Sequence, residues 1–151
     1  MIRRNLHKLH SSEDGASLLE ATVVLPVFVF LMAGIADFGL AYGSVLTAQK
    51  SLRSATRYLS MLPSQAVCGW GKENAIKLAG YGNIKGEGEP LIAGWDVPKH
   101  IIVDEPKTCS SVITVIRMKA TVPYSAIIWP VVGLPEQVNF QVEHEERWIG
   151  Q

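Results

Sequence analysis

Between Glu20 and Lys50 the chain carries a single charged residue, Asp37, and the run Ala21–Ala36 is almost wholly apolar. A helix that crosses roughly 30 Å of hydrocarbon needs about 20 predominantly apolar residues. Ala16–Leu40 meets that requirement with two acidic exceptions, Glu20 and Asp37. The rest of the sequence reads as something anchored, delivered or assembled by this segment.

The flanks set an orientation. Met1–Asp14 is short and polar and carries Arg3, Arg4 and Lys8. Short positive flanks stay in the cytoplasm, which puts the N-terminus inside and exports the C-terminal portion. Three readings of Ala16–Gly43 compete. It is the core of a signal peptide cut near Ala36, a permanent single-span anchor, or a span with its own N-terminal processing site. A signal-peptide core has 7–15 apolar residues. A cut at Ala36 would expose a further dozen uncharged residues, so an uncleaved span ranks above the signal peptide. Lys+Arg and Asp+Glu are both 14. That balance argues against nucleic acid as the main partner, because phosphate binding needs a basic surplus.

Glu20 separates the readings. A carboxylate about one turn inside an apolar span is costly unless it snorkels to the headgroups or meets a positive partner. The segment Gly15-Ala16-Ser17-Leu18-Leu19-Glu20 resembles the prepilin processing motif: a glycine, four residues, a glutamate, then an apolar helix. That resemblance implies cleavage between Gly15 and Ala16 by a prepilin peptidase. It also implies that Glu20, fifth in the mature chain, neutralises an N-terminal amine during assembly.

The resemblance narrows to the TadE-like family of minor pseudopilins of tight-adherence (Tad, Flp) pilus systems. The residues that carry it are Glu20, the pair Leu25-Pro26, the block Gly34-Ile35-Ala36-Asp37-Phe38-Gly39 and the block Ala55-Thr56-Arg57-Tyr58, with Thr121–Tyr124 matching more loosely. Two departures stand out. Glu13 and Asp14 precede Gly15, where many such leaders are basic. Ala21 follows Glu20, where the major Flp pilins carry an aromatic, which favours a minor component.

Proline removes a ladder hydrogen bond, so Pro26 predicts a kink in the helix. Asp37 lies about 25 Å along the helix from Glu20 and is expected at the outer, wet boundary. The spacing Gly39–Gly43 permits close helix packing. From Ser44, Val45, Leu46, Ala48, Leu52, Ala55, Tyr58 and Leu59 recur at three- and four-residue steps, so the helix continues to about Leu62, before Pro63. Pro63–Gly71 reads as a turn and Lys72–Tyr81 as a short helix. Leu91–Ala93 and Ile101–Val103 read as strands separated by Pro98, and Ser111–Val122 as the best strand. Pro123–Pro135 reads as an apolar connection containing Trp129, and Gln137–Trp148 as a second alternating strand. On the first long strand Thr114, Ile116, Met118, Ala120 and Val122 share one face and Arg117, Lys119 and Thr121 the other; on the second Val138, Phe140 and Val142 face inward, and an antiparallel pair packs on the helix.

Cys68 and Cys109 lie on the exported side of the span, where thiols oxidise. A disulfide between them would close a loop of about 40 residues and contribute about 4 kcal/mol by the chain-entropy model. Two unlinked thiols remain the alternative. Little points to catalysis: His100 and His144 are isolated, His7 and His10 fall in the leader, and no metal spacing, phosphate-cradling loop or nucleophile elbow occurs. Glu143–Glu146 reads as a solvated strand end, and Trp70, Trp95, Trp129 and Trp148 as core and edge packing.

The expectation is an α+β protein with a long, type IV pilin-like N-terminal transmembrane helix continuing into a small periplasmic domain with a short antiparallel sheet. Residues 1–15 form a cleaved cytoplasmic leader, 16–43 the transmembrane half of the helix, 44–62 its periplasmic continuation and 63–151 the α+β domain. The expected role is structural rather than enzymatic: assembly, priming or tip formation of a Tad-type pilus. The expected partners are the inner membrane, a prepilin peptidase and other pilins or pseudopilins, with no cofactor, metal, nucleic acid or small-molecule substrate. The rivals are an uncleaved single-pass envelope-anchored binding protein and a domain secreted after signal-peptide removal.

Overall fold

The apolar spacing that includes Ala48 repeats at Leu52, Ala55 and Leu59, and all four are fully buried. They lie on α1, Glu13–Ser60, a helix of 48 residues in the computed structural model, which describes residues 13–104 and 115–150. The chain divides into two compact units, Met1–Phe38 and Gly39–Gln151.

In the first unit every residue of α1 from Ser17 to Met32 is exposed. Asp37 departs from the expectation of a wet boundary residue. It is buried, at 2% exposure, and engaged in a polar or electrostatic contact, as a carboxylate removed from water must be.

In the second unit α1 buries a stripe against the domain core. Three polar side chains share that stripe, Ser51, Thr56 and Ser60. Each returns its hydroxyl hydrogen to a carbonyl of its own helix: Ser51 to Ala48 at 3.0 Å, Thr56 to Leu52 at 2.7 Å and Ser60 to Arg57 at 2.8 Å. A buried hydroxyl costs little once it is hydrogen-bonded, and small side chains let neighbouring elements approach. Helix termini leave carbonyls without intrahelical donors. Here the far end of the chain supplies them: Ile149 N–H donates to Ser60 O at 3.0 Å and Trp148 Nε1 to Leu62 O at 2.9 Å.

The expected turn after Pro63 contains a short helix, α2, Ser64–Val67, which buries Ala66 and Val67. The next helix, α3, spans Trp70–Tyr81. It begins two residues earlier than the periodicity indicates, because Gly71 fits under Leu62 and Ala66 where a Cβ would not. In its first turn Glu73 pairs with Lys77 at 2.7 Å. The Lys77 hydrogen bond and charge hold the Glu73 carboxyl below its ordinary range. The helix stops at Gly82, whose φ of 74° places it in the left-handed region and lets its N–H reach Leu78 O at 2.9 Å.

Leu91–Ala93 is not a strand. Leu91 N–H caps the Gly80 carbonyl at 2.8 Å, Ile92 plugs the core and Trp95 N–H turns back onto Ile92 O at 3.1 Å. Tertiary packing thus uses this apolar run as a loop that buries Ile92 alone, leaving Leu91 and Ala93 exposed. The sheet has three antiparallel strands, β1 Ile101–Val103, β2 Val115–Ser125 and β3 Gln137–Arg147, in the order β1-β2-β3. Residues 111–114, the expected start of the middle strand, lie outside the described residues. At its other end β2 runs on through Pro123 to Ser125 instead of stopping at Val122.

Backbone direction explains that extension. Thr121 N–H points to the β1 side, donating to His100 O at 2.8 Å, so Pro123, two residues on, turns its missing N–H to the same side. There β1 has ended, since its last partner in that direction is Ala120, and proline is tolerated where no ladder bond is needed. The Trp95 indole takes over on that side, donating to Thr121 O at 2.8 Å. Ile116, Met118, Ala120 and Val122 are buried on one face of β2, and Val142 lies across from Ala120 on β3. The fold is α+β, a long apolar helix followed by a small antiparallel sheet.

Candidate functional site

The residues singled out by the processing motif all lie on α1, since the helix already includes Gly15 and Ala16. Glu20 stands exposed on it, with no ion pair among the described residues. Ala16 and Glu20 are four residues apart, so they share one helix face about one turn from each other. The Thr22 hydroxyl donates to Leu18 O at 2.7 Å. Proline at 26 deprives the Thr22 carbonyl of its donor, yet α1 remains helical through it.

The exposed side chains from Leu18 to Leu40 are overwhelmingly apolar, with Leu19, Val23 and Phe38 each about two-thirds or more open. This helix is long and apolar enough to cross a membrane. An apolar surface of this extent is unfavourable in water by about 25 cal/mol per Å², so it needs lipid or other helices around it. A Cβ added at Gly34, Gly39 or Gly43 would meet no other atom. The Gly39–Gly43 pair is thus an open notch on the helix surface.

The charged residues that the sequence left as separate faces are brought together by strand register. Arg117 lies opposite Glu145, and Lys119 opposite Glu143. Arg117 pairs with Glu145 and stands 3.9 Å from Asp104, which also takes Lys119 at 3.2 Å. Glu145 is therefore part of a cross-strand ion network and not a merely solvated strand end. Alternating charges on the two strands were the available signal, but only the register joins them. Beside the network a cavity of about 470 Å³ is lined by Lys99, His100, Lys119, Gln141 and Glu143 among others. His100 uses Nδ1 to accept the Asp96 N–H at 3.1 Å, a local turn contact. Among the described residues no group of three His, Cys, Asp or Glu side chains is placed to hold a metal.

The four tryptophans divide between core, edge and surface. Trp95 is buried, Trp148 packs against the core and Trp70 is exposed. Cys68 is not a free thiol, and Cys109 lies outside the described residues.

No curated protein and no solved structure shows significant similarity to the chain. One protein family does, over the stretch that carries the exposed apolar helix and the start of its packed continuation. Residues 15–57, most of α1, match the family described as TadE-like protein.

Proposed function

We propose that the chain is a minor pseudopilin of a Tad-type pilus, a structural component for assembly, priming or the tip. The observation that carries this reading is Glu20 on an exposed apolar helix, one turn after Ala16, inside the segment matched to TadE-like proteins. Cleavage between Gly15 and Ala16 by a prepilin peptidase would free the Ala16 amine on the face that carries Glu20. An amine and a carboxylate in a low-dielectric setting attract strongly, and each relieves the other's burial cost. The pairing of Glu20 with the amine of its own or a neighbouring helix then selects one register when helices pack laterally. Opening at Pro26 would let the helix bend to fit its neighbours. The basic flank keeps the N-terminus cytoplasmic and places the second unit in the periplasm, where Cys68 and Cys109 would oxidise to one disulfide.

The uncleaved anchor remains the second reading, because α1 begins at Glu13 and covers the Gly15–Ala16 bond. A peptidase needs that turn unwound. Glycine lowers the cost, being about 1 kcal/mol less helix-favouring than alanine.

The test is N-terminal sequencing of the protein recovered from native membranes, with Glu20→Ala alongside. A start at Ala16 with lost pilus assembly in Glu20→Ala is the expected outcome. A start at Met1 leaves a plain anchor, a start near Asp37 leaves a secreted domain, and normal assembly of Glu20→Ala removes the role of that carboxylate.

A further inference from the structure

Among the described residues the loop joining β2 to β3 is a second apolar surface, apart from that of α1. No charged residue occurs between Lys119 and Glu136. Ala126 N–H closes the base of the loop on Glu136 O at 2.8 Å, and a short 3-10 helix, Trp129–Val132, forms its tip. Outside this base three apolar side chains are largely open, Ile127 at 70%, Val131 at 65% and Leu134 at 53% exposure, while Ile128 and Trp129 are half-buried. A hairpin tip normally carries Gly, Asn, Asp or Ser to satisfy water. This one carries Ile, Trp, Pro, Val and Leu on a rigid two-strand stalk, and single scattered apolar residues do not account for such a cluster.

We propose that this tip inserts into the headgroup and upper acyl region of the bilayer that α1 crosses. The reading rests on α1 being a membrane span. Its position follows from the second unit alone. The buried stripe on α1 from Val45 to Leu59 and that on β2 from Ile116 to Val122 belong to one core. Both are about 20 Å long at 1.5 and 3.3 Å per residue. Trp148 and Ile149, at the end of β3, are tied to the end of α1. The hairpin therefore runs back along α1 with its tip toward the Gly39 end of the second unit. From Val122 to its last residue, Ser125, β2 runs on about 10 Å, close to the roughly 9 Å that α1 covers from Val45 back to Gly39, and the loop lies beyond it. The tip thus lies at the end of the second unit from which α1 continues toward its apolar portion, the level expected for a membrane surface. Its chemistry suits that level: a tryptophan half-buried on its own domain, prolines that need no donor, and no charge to desolvate.

The probe is the full chain in vesicles of phosphatidylethanolamine and phosphatidylglycerol, with bromine on the acyl chains near the headgroup end. Bromine quenches a tryptophan that lies about 5–10 Å into the interface. Trp95 is buried, Trp148 sits at the opposite end of the hairpin, and the exposed Trp70 adjoins Gly71, which packs under Leu62 at that same opposite end, so the difference between wild type and Trp129→Phe reads Trp129 alone. Quenching in the wild type should fall by about half or more in Trp129→Phe, and equally in Val131→Asp, which keeps the fluorophore but expels the tip. Quenching unchanged in both variants overturns the proposal. So does a Trp129 quenched by aqueous iodide instead, the outcome expected if the tip awaits a protein partner. Alkaline carbonate separates this from the anchor: a chain washed off the vesicles overturns the span and the tip together, and one that stays with Trp129 unquenched overturns the tip alone.

Discussion

The Leu62 carbonyl lies just beyond the end of α1 and receives the Trp148 indole at 2.9 Å, across a sequence separation of 86 residues. The contact is half-buried, so losing the donor leaves an acceptor that water reaches poorly. Trp148→Phe keeps most of the packing and removes the bond, and should cost about 1–2 kcal/mol. Urea unfolding in detergent micelles reads this as a lower midpoint with an unchanged slope. An unchanged midpoint would mean that water replaces the indole. Gly80 is the complementary case, since a Cβ there would run into the Val97 side chain. The position has a negative φ and needs glycine for space, whereas Gly82 needs it for backbone conformation. Sequence alone shows both as loop-prone glycines and cannot tell them apart.

α1 behaves as two elements joined end to end. Leu31 is 59% exposed, while Leu52 is fully buried, although both are leucines on the same helix. Leu52→Ala removes buried methylenes from the domain core and should destabilise it by about 2–5 kcal/mol. Leu31→Ala should leave domain unfolding in micelles unchanged within about 0.5 kcal/mol, because the surface it trims faces detergent. Equal losses in the two variants would show that the exposed portion is part of the folded core. The division was legible: polar residues reappear at Gln49, Lys50 and Arg53 at helical spacing just where burial begins. The use of Ser51, Thr56 and Ser60 as buried members of the stripe was not, because their hydroxyls are satisfied by their own helix only when a neighbour excludes water.

At the scale of the molecule, a small domain carried on an apolar helix needs reinforcement. Its core stripes are only about 20 Å long. The proposed link between Cys68 and Cys109 spans about 40 residues and should supply about 4 kcal/mol. Cys68→Ser should lower the thermal midpoint markedly, and reductant should do the same to the wild type and nothing further to the variant. A wild type insensitive to reductant would show that the thiols are not joined. The apolar run and the alternation on β2 and β3 determined by themselves that the chain has a long apolar helix and an antiparallel pair. These are local periodicities, fixed by how side chains project from a helix or a strand. Tertiary structure alone decided that Leu91–Ala93 is a loop with Ile92 as its plug and not a strand, that Pro123 sits inside β2, and that Asp37 is buried. It also decided that Glu145 meets Arg117 and that the last residues of the chain close the end of the first helix. Each of these depends on which distant backbone or charge arrives alongside, and register and packing set that partner where composition does not.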